Sequence, residues 1–507
     1  MSKKILNFNK LKKVISTLKK KSKKIVLCHG VFDILHVGHI IHFEEAKKKG
    51  DVLIVSITSD IFVNKGPGRP VFSDSHRAKF ISSLRVVDYV VTNNEKTSKN
   101  LINIIKPNFY VKGPDYKQNS KDVTGQIIEE KKAVTKNKGQ IIYTKGQSFS
   151  SSNIINNNLS MIFKDNQIQF LKILKKKYSL NQIQKSFKQI KNIKVLIIGE
   201  TIIDRYVFCE TVGKSGKEPM LVLKENFQRD FLGGAAAICK QVSEFSNKVT
   251  FFSIIGEKEE FKNFIKKNLQ NVSSKFIIKK NSPTILKKRY VDEASNSKTL
   301  GVYNLNDNQL DKKSEKIFYN NLSTEIKKND LVIVSDYGHG FISNKIAKLI
   351  SSKSKFLFIN SQINSNNSGQ HTLEKFKNAN CVLINETEMR HELRDRVSST
   401  KNLISSLSKK LKSKSIIVTR GNEGSLFYES RKKTFIKCPA FATNISDKVG
   451  AGDAMLSVFS IFLFFLKNPE VPLFFGSLAA ANSLKDFGND RTLNPKNLYK
   501  FLEHIYK

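Results

Sequence analysis

Strand and helix patterns alternate along the first part of the chain, and this alternation restricts the fold most strongly. Short apolar segments that suit buried strands are separated by stretches with apolar residues at helical spacing. The predicted strands are 25–29, 52–57, 87–91, 109–112 and 140–143, and the predicted helices are 38–49, 75–84, 97–106 and 122–137. This order favours an α/β domain with a parallel sheet, in which ligands bind beyond the carboxyl ends of the strands.

A second apolar strand that runs into a glycine turn, 194-KVLIIGE-200, opens the remaining part of the chain. The preceding residues, 159–192, carry apolar side chains at roughly helical spacing and predict one or two connecting helices. We therefore divide the 507 residues into an N-terminal domain (1–155), a helical connector (156–192) and a C-terminal domain (193–507). Both domains have sizes that single domains commonly have.

Apolar segments in this sequence are too short to cross a membrane. The longest, 454-AMLSVFSIFLFFL-466, has 13 residues and predicts a buried helix, since a spanning helix needs about 20. The N-terminal segment lacks the apolar core and cleavage site of a signal peptide. We expect a cytoplasmic protein without membrane insertion. The cysteines form no CxxC pair and favour reduced thiols over a disulfide framework or a cysteine zinc site; they are Cys28, Cys209, Cys239, Cys381 and Cys438.

The net charge of +43 is compatible with a nucleic-acid partner, but the distribution of charge is not. Lysine is spread along the whole chain, and neither an arginine-rich tract nor alternation of aromatic and basic residues occurs. We therefore expect no nucleic-acid binding. A basic surface attracts phosphorylated small molecules instead.

The segment 27-LCHGVFDILHVGHI-40 admits three interpretations. Zinc needs three or four ligands, and no nearby cysteine or carboxylate completes a set with the two histidines at familiar spacing. The histidines could also be incidental. The third interpretation is a site for phosphate chemistry. Gly38 lets the backbone approach a ligand, and the helix that starts here favours anions. The imidazoles donate hydrogen bonds to a phosphate that gains charge in its transition state. This suits direct attack of a substrate phosphate on a nucleoside triphosphate.

The stretch GVFDILHVGH resembles the GxFDxxHxGH signature of the cytidylyltransferase-like nucleotidyltransferases, which have a Rossmann-like fold. Three further segments resemble motifs of this family in the same order: 65-KGPGRPVF-72, 107-PNFYVKGPDY-116 and 149-FSSSNII-155, the last with Ser152 where threonine is usual. The most similar branch is the sugar-1-phosphate transferase half of the bifunctional heptose-phosphate kinase/heptose-1-phosphate adenylyltransferases.

The resemblance implies a role for each matching residue. His36 and His39 would stabilise the pentavalent phosphate, and Lys65 would act with them. Asp33 would fix the turn or contact the acceptor, and Lys112 would face the substrate. Residues expected to hold the nucleotide or its phosphates are Gly30, Phe32, Gly38, Arg69, Ser150 and Ser151. Mg²⁺ would bridge the phosphates, and the nucleotide would be ATP or CTP.

The stretch 447-DKVGAGDAMLS-457 carries the chemistry of the C-terminal domain. Gly450, Ala451 and Gly452 expose backbone N–H groups at the start of the apolar helix, which makes a hole for a phosphoryl group. Asp453 stands at the same turn and can take a proton from a hydroxyl group. The alternative is an ordinary aspartate cap on a glycine-rich turn.

This stretch resembles the D-x-x-GAGD signature of the ribokinase-like sugar kinases, an α/β family. Four more segments resemble that family: 199-GETIIDRY-206, 335-SDYGHG-340, 385-NETE-388 and 418-VTRGNEGSLF-427. The resemblance implies that Asp453 is the catalytic base and that Asn385 and Glu388 organise Mg²⁺ indirectly. The implied nucleotide residues are Thr419, Gly421, Gly424, Gly450, Ala451 and Gly452, and the implied acceptor residues are Asp204, Gly233, Gly234 and Asp336.

Three residues depart from the family pattern, and all fall in the sugar-binding half. Glu200 replaces an aspartate, Ala237 an asparagine and His339 a lysine. An alanine cannot make the sugar contact of an asparagine, so we interpret these changes as a changed acceptor with phosphoryl transfer retained. The competing interpretation is a nucleotide- or sugar-sensing module with little turnover.

The two resemblances together predict a bifunctional enzyme of nucleotide-sugar synthesis. A kinase would phosphorylate a sugar phosphate such as a heptose phosphate with ATP and Mg²⁺, and the transferase would couple a sugar 1-phosphate to a nucleotide for surface polysaccharide assembly. The transferase precedes the kinase, which reverses the usual order, and no phosphatase module is visible between the two steps. The resemblance is also compatible with a homodimer. The alternatives are a polyol-phosphate cytidylyltransferase, acting for instance on glycerol 3-phosphate, fused to a regulatory module, and a nucleic-acid-binding protein.

Overall fold

The chain forms two compact units in a computed structural model. Unit 1 comprises Met1–Asp165 with Tyr499–Lys507, and unit 2 comprises Asn166–Leu498. The structure describes residues 4–63, 69–95, 97–113, 126–144, 163–362, 367, 372–442, 445–466 and 468–506. Of the predicted site residues, Lys65, Ser150 and Ser151 lie outside this part of the chain.

Unit 1 contains a parallel sheet with the strand order β1-β4-β3-β2-β5-β6. Its strands are β1 (Ile5–Leu6), β2 (Ile25–Gly30), β3 (Val52–Thr58), β4 (Tyr89–Asn93), β5 (Phe109–Lys112) and β6 (Gln140–Tyr143). The helices before and between them are α1 (Phe8–Lys20), α2 (Val37–Lys47), α3 (Asp74–Ser82), α4 (Lys99–Ile105) and α5 (Gln126–Lys136). The predicted alternation is confirmed, whereas β1 was not predicted because two residues carry no periodic signal.

Helices cover both faces of this sheet, as the sequence pattern of its strands requires. Along β2, Ile25 and Leu27 pack into a cluster with α1, α4 and α5, whereas Val26 and Cys28 pack into a second cluster with α2 and α3. Successive side chains of a strand point to opposite faces, so an uninterrupted apolar strand needs cover on both sides. The carboxyl ends of β2, β3 and β5 therefore remain the place where polar side chains can collect.

Unit 2 is built on a larger sheet with the strand order β11-β10-β7-β14-β15-β16-β17-β18-β19, parallel except for the last two pairs. Its strands are β7 (Lys194–Gly199), β10 (Lys248–Gly256), β11 (Val272–Lys279), β14 (Leu331–Asp336), β15 (Leu357–Ser361), β16 (Cys381–Asn385), β17 (Ser415–Thr419), β18 (Ser425–Glu429) and β19 (Thr434–Cys438). The α/β class predicted for both parts of the chain is confirmed.

The remaining helices follow in chain order, and the first two of them lie between residues 156 and 192. They are α6 (Asp165–Lys177), α7 (Leu180–Ile190), α8 (Gly234–Ser243), α9 (Lys262–Asn268), α10 (Lys312–Glu325), α11 (Asn344–Lys353), α12 (Glu386–Leu393), α13 (Thr400–Leu411), α14 (Ala451–Leu466), α15 (Glu470–Ser483) and α16 (Pro495–Tyr506). Helix α14 contains the predicted buried helix, and every residue from Asp453 to Leu463 is buried. Across the described ranges, no helix combines the length and apolar character that crossing a membrane demands.

A separate four-stranded sheet with the order β13-β12-β8-β9 completes unit 2. Its strands are β8 (Thr201–Lys214), β9 (Leu221–Gly233), β12 (Ile285–Asp292) and β13 (Lys298–Asn304). In the register of this sheet, Asp204 on β8 lies beside Lys287 on β12. The sheet therefore brings the predicted acceptor residue Asp204 next to a lysine that is remote in sequence.

Candidate active sites

Two histidines stack at the start of α2 in unit 1. His36 caps the helix, and its Nδ1 accepts a hydrogen bond from the Gly38 N–H at 3.1 Å. The ring centroids of His36 and His39 are 3.9 Å apart, and the Phe32 ring packs edge-on against His39. Burial lowers the pKa of His36, so the ring is neutral at pH 7 and carries its proton on Nε2. This geometry supplies a neutral donor at a helix N-terminus, where an anion is favoured.

Asp33 and Arg69 form a buried pair in unit 1. Asp33 Oδ1 accepts hydrogen bonds from the backbone of Val71 at 2.7 Å and of Phe72 at 3.1 Å, which fixes the loop that carries Arg69. Arg69 Nη1 lies 3.7 Å from Asp33 Oδ2, and within the described residues this buried nitrogen has no hydrogen-bond acceptor. Burial lowers the pKa of Arg69, and Asp33 opposes that effect. The guanidinium therefore retains a donor that suits a phosphate oxygen.

Arg77 holds this site together, and the sequence analysis missed it. Its fully buried guanidinium donates to the carbonyl oxygens of Val31 at 2.5 Å, Thr58 at 2.8 Å and Phe72 at 2.9 Å, and to the Asp60 carboxylate at 2.5 Å. Val31 follows β2, Thr58 ends β3 and Asp60 follows it, and Phe72 precedes α3. An arginine on the buried face of the predicted helix 75–84 was the available signal.

Lys112 belongs to a buried polar network at the end of β5. Its ammonium group lies 3.0 Å from Glu130 Oε2, and Glu130 also accepts hydrogen bonds from Ser98 at 2.8 Å and Tyr110 at 2.9 Å. Burial acts to raise the pKa of Glu130, but Lys112, His29 and Ser98 together outweigh it and the pKa falls to about 2. The ion pair is therefore fully charged at pH 7, and the substrate contact of Lys112 stays a prediction.

Two more histidines lie near Lys112. His29 Nδ1 contacts the Ser56 hydroxyl at 3.0 Å, and His42 Nδ1 contacts the Thr144 hydroxyl at 3.1 Å. Burial, with a smaller contribution from the Lys112 charge, lowers the pKa of each to about 4. Both rings are neutral at pH 7 and act as hydrogen-bonding groups rather than as cations.

Asp453 is the buried carboxylate of the second site. It occupies the first turn of α14 directly after Gly450, Ala451 and Gly452, and its Oδ1 accepts a hydrogen bond from the Tyr337 hydroxyl at 2.8 Å. Burial raises the pKa of Asp453 to about 7. A carboxylate with this pKa accepts and releases a proton near neutral pH, as a general base must.

Asp447, which the sequence analysis quoted without a role, fixes the turn before Asp453. Its carboxylate accepts hydrogen bonds from the Val449 N–H at 3.0 Å and from the Tyr206 hydroxyl, and it pairs with Lys298 at 2.5 Å. Burial acts to raise the pKa of Asp447, but Lys298 and Tyr206 outweigh it and lower the pKa. The ionised Asp447 therefore braces the glycine turn.

Three of the predicted acceptor residues, Asp204, Gly233 and Gly234, meet where β9 passes into α8. Asp204 forms an ion pair with Arg289. A Cβ atom at Gly233 would lie 2.2 Å from Asp204 Oδ2, and a Cβ atom at Gly234, where φ is +57°, would lie 2.7 Å from the Glu200 carbonyl oxygen. Only glycine permits this close approach.

Glu200 supports the turn that carries Tyr337. Its two carboxylate oxygens accept hydrogen bonds from the backbone N–H groups of Tyr337 at 3.0 Å and His339 at 3.1 Å. Burial and the neighbouring Asp336 raise the pKa of Glu200 to about 7. Asp336 accepts a hydrogen bond from the Gly338 N–H at 3.1 Å and pairs with Lys375 at 2.5 Å. Both acidic residues therefore position Tyr337 against Asp453.

The predicted nucleotide residues lie at the ends of β16 and β17. Asn385 and Glu388 form a capping box, with Asn385 Oδ1 accepting from the Glu388 N–H at 2.8 Å and Glu388 Oε2 accepting from the Asn385 N–H at 3.1 Å. The Glu388 charge contributes to the raised pKa of Asp453, which places the two carboxylates in one electrostatic environment. Thr419 ends β17, and Gly421 and Gly424 shape the turn that follows.

Comparison with known proteins agrees with this division of sites. Residues 27–157 match the cytidylyltransferase-like family, and residues 192–497 match the pfkB family of carbohydrate kinases. The protein of Aliarcobacter butzleri named bifunctional protein HldE is 44% identical over 134 residues, which are 26% of this chain and 28% of that protein. The protein of the same name from Campylobacter jejuni subsp. doylei is 47% identical over 120 residues, or 23% of this chain and 26% of that protein.

These matches fall in the N-terminal domain, and the chain spans about a quarter of the length of these relatives. Among solved structures, phosphofructokinase-2 from Escherichia coli in complex with substrates and products covers 61% of this chain and 99% of its own. Its TM-score is 0.51 at 16% identity, which is evidence for a shared fold. The chain, whose N-terminal segment is cytidylyltransferase-like, belongs to the pfkB family of carbohydrate kinases.

Proposed function

We propose that the chain is a bifunctional transferase of nucleotide-sugar synthesis. The kinase site phosphorylates a heptose phosphate with ATP, and the nucleotidyltransferase site converts a heptose 1-phosphate and ATP or CTP into a nucleotide-activated heptose and pyrophosphate. The observation that carries the proposal is the buried Asp453, with a pKa of about 7, directly after the Gly450–Gly452 turn. The relatives named bifunctional protein HldE support the nucleotidyltransferase half.

The kinase step follows from the position of Asp453. The carboxylate takes the proton of the acceptor hydroxyl, whose oxygen attacks the γ-phosphorus of ATP while ADP leaves. Backbone N–H groups of the Gly450–Gly452 turn donate hydrogen bonds to the phosphoryl group while it is transferred to that oxygen. The partly exposed carboxylate of Glu388 and the amide of Asn385 offer the oxygen atoms that Mg²⁺ prefers, and bound Mg²⁺ supplies charge neutralisation between the phosphates.

The nucleotidyltransferase step needs no nucleophile from the protein. An oxygen of the sugar 1-phosphate attacks the α-phosphorus of the nucleotide, and pyrophosphate leaves. His36 and His39 donate hydrogen bonds to the oxygens that gain charge, and Arg69 offers its remaining donor to a phosphate. We assign Lys65, Ser150 and Ser151 to the triphosphate on the family resemblance alone.

The wider setting is part of the same proposal. The nucleotidyltransferase domain comprises residues 1–155, the helical connector 156–192 and the kinase domain 193–507. The substrates are small sugar phosphates and nucleoside triphosphates. The protein acts in the cytoplasm. The product serves surface polysaccharide assembly, such as that of lipopolysaccharide.

A homodimer is proposed from apolar side chains exposed on the strands of the four-stranded sheet. Val212, Leu221, Leu300 and Val302 are 46–63% exposed there, and exposed apolar side chains favour contact with another chain. Sedimentation of the purified protein tests this. We expect a dimer that the double substitution Leu300→Lys and Val302→Lys converts to a monomer, and a monomeric native protein would contradict the dimer.

Two single substitutions test the bifunctional proposal. Asp453→Asn should abolish ADP formation with heptose phosphate and leave pyrophosphate release from heptose 1-phosphate unchanged. His36→Ala should do the reverse and lower the transferase rate about 100-fold. His76→Ala, which changes an exposed histidine of unit 1, is the matched control and should alter neither rate. The bifunctional proposal fails if the native protein lacks either activity, or if either substitution leaves its own reaction unchanged.

A further inference from the structure

Glu386 and Arg420 form an ion pair between two neighbouring strand ends of unit 2. In the parallel register of β16 and β17, Asn385 lies beside Thr419. The chain then diverges, because Glu386 begins α12 and Arg420 enters the turn before β18. Arg420 Nε donates a hydrogen bond to Glu386 Oε2 at 2.8 Å and so joins the two segments. The proposed kinase mechanism uses neither side chain.

Arg420 also fixes the shape of the turn that it enters. Its backbone N–H donates a hydrogen bond to the Gly424 carbonyl oxygen at 2.8 Å. Its Nη2 lies 2.7 Å from Glu423 Oε2, so the guanidinium contacts a carboxylate on each side. A guanidinium has a planar set of donors that suits two carboxylates at once. The backbone and the side chain of Arg420 therefore hold the turn in one position.

Glu386 is anchored to two helices through its other carboxylate oxygen. Oε1 accepts hydrogen bonds from Arg390 Nη2 and from the Thr400 hydroxyl, each at 2.7 Å. Arg390 belongs to α12, and Thr400 begins α13. Burial acts to raise the pKa of Glu386, but its arginine and threonine partners outweigh it and lower the pKa to about 2. The carboxylate is therefore ionised at pH 7 and links both helices to the turn.

This link connects the two parts of the proposed nucleotide site. Glu386 lies within the capping box that Asn385 and Glu388 form, and that box carries the oxygen atoms offered to Mg²⁺. Arg420 directly follows Thr419, in the turn assigned to the nucleotide. Groups that bind one ligand must keep a fixed separation, because a small misplacement weakens all of their contacts. An ion pair between the box and the turn supplies such a constraint.

We propose that Glu386 and Arg420 are positioning residues of the kinase site, whose ion pair holds the nucleotide turn (419–424) at the separation from the Asn385–Glu388 capping box that Mg²⁺-bound ATP requires. Neither side chain needs to touch ATP for this role. The inference rests on the proposed kinase function and explains how that site holds its nucleotide. It predicts an effect on ATP and none on the sugar, since the predicted acceptor residues lie on other elements.

Steady-state ADP formation by the full-length protein gives the KM for ATP and the KM for heptose phosphate. Glu386→Gln should raise the KM for ATP about fivefold to tenfold, as expected for a charged pair that is partly exposed, and leave the KM for heptose phosphate unchanged. Arg420→Gln should do the same. The double variant should be no worse than Arg420→Gln alone, because both substitutions remove one interaction.

Arg390→Gln is the matched control. It takes a different arginine from the same carboxylate, but this arginine belongs to α12 and its recorded partners are Glu386 and the carbonyl oxygens of Arg396 and Ser398. The ion pair with Arg420 remains, so the KM for ATP should stay at the native value.

Hydrogen exchange followed by mass spectrometry measures nucleotide binding without turnover. Titration with ADP and Mg²⁺ should protect the amide groups of residues 419–424, and this signal is separate from any nucleotide bound in unit 1. The half-saturating ADP concentration should rise in Glu386→Gln by the same factor as the KM for ATP, and it should not change in Arg390→Gln. Unchanged exchange in β14 shows that each variant is folded.

Three results would overturn the positioning role. They are an equal rise of both KM values in Glu386→Gln, an equally large rise of the KM for ATP in Arg390→Gln, and no protection of residues 419–424 by ADP in the native protein. The positioning role and the kinase function fail separately. Protection that depends on Glu386 without ADP formation from ATP removes the kinase function and keeps the positioning role. Turnover with an unchanged KM for ATP in Glu386→Gln removes the positioning role and keeps the kinase function.

Discussion

The hydrogen bond between Tyr337 and Asp453 sets the pH at which the proposed kinase base becomes active. The Tyr337 hydroxyl donates to Asp453 Oδ1 at 2.8 Å and stabilises the ionised carboxylate, while burial raises the pKa to about 7. Tyr337→Phe removes the donor and keeps the ring. The pKa of Asp453 must then rise, because the ionised carboxylate loses a hydrogen-bond donor that stabilises it against burial.

The size of this effect follows from the contact. A hydrogen bond to a charged group contributes about 1.5–3 kcal/mol, and 1.36 kcal/mol corresponds to one pH unit, so the pKa of Asp453 should rise by about one to two units. The assay is kcat/KM for the sugar acceptor from about pH 5 to about pH 10. The native profile should rise through about pH 7, and that of Tyr337→Phe through about pH 8–9.

Tyr428→Phe is the matched control, since Tyr428 is also buried in unit 2 and its ring packs against Phe435. Its profile should coincide with that of the native enzyme. A Tyr337→Phe profile that stays at the native position, or moves to lower pH, would refute the assignment of Asp453 as the titrating base.

Further substitutions test other parts of the two sites. Asp453→Asn should raise the melting temperature at about pH 8 but not at about pH 4. The pKa of Asp453 is raised from 3.8 to about 7, so its ionisation costs the folded state about 4 kcal/mol, and the amide of asparagine avoids this cost because it does not ionise. Equal melting temperatures of the native protein and the variant at pH 8 would contradict this. Arg77→Lys should lower the free energy of unfolding in urea by about 2–5 kcal/mol, since lysine leaves buried carbonyl groups without donors, and a loss below about 1 kcal/mol would contradict its bracing role. Glu200→Asp should lower kcat of the kinase about tenfold without changing KM for ATP, because the shorter side chain cannot reach the backbone of both Tyr337 and His339; an unchanged kcat would count against that support.

Local patterns were sufficient to predict much of the fold. The strands of unit 1 follow the predicted segments because a sheet covered on both faces requires uninterrupted apolar strands, and α14 follows from its apolar run. The long strands β8 and β9 were harder to predict from the sequence, since the C-terminal part of β8 and the N-terminal part of β9 are largely exposed and give no burial pattern. Their pairing also depends on residues that are remote in sequence.

The site residues also divide into those that local patterns predict and those that depend on distant parts of the chain. The stacking of His36 on His39 follows from their spacing at a helix start, and the position of Asp453 follows from the glycine turn. The partners of Glu200 lie 137 and 139 residues further along the chain, so no spacing rule reveals them.

Phosphorus NMR of the purified protein with Mg²⁺ and heptose 1-phosphate tests the central claim most directly. ATP and CTP are added in separate tubes. The bifunctional account predicts resonances of pyrophosphate and of a sugar diphosphate with at least one nucleotide, which also identifies the base that the enzyme uses. Unchanged nucleotide and sugar phosphate resonances in both tubes would contradict the heptose assignment.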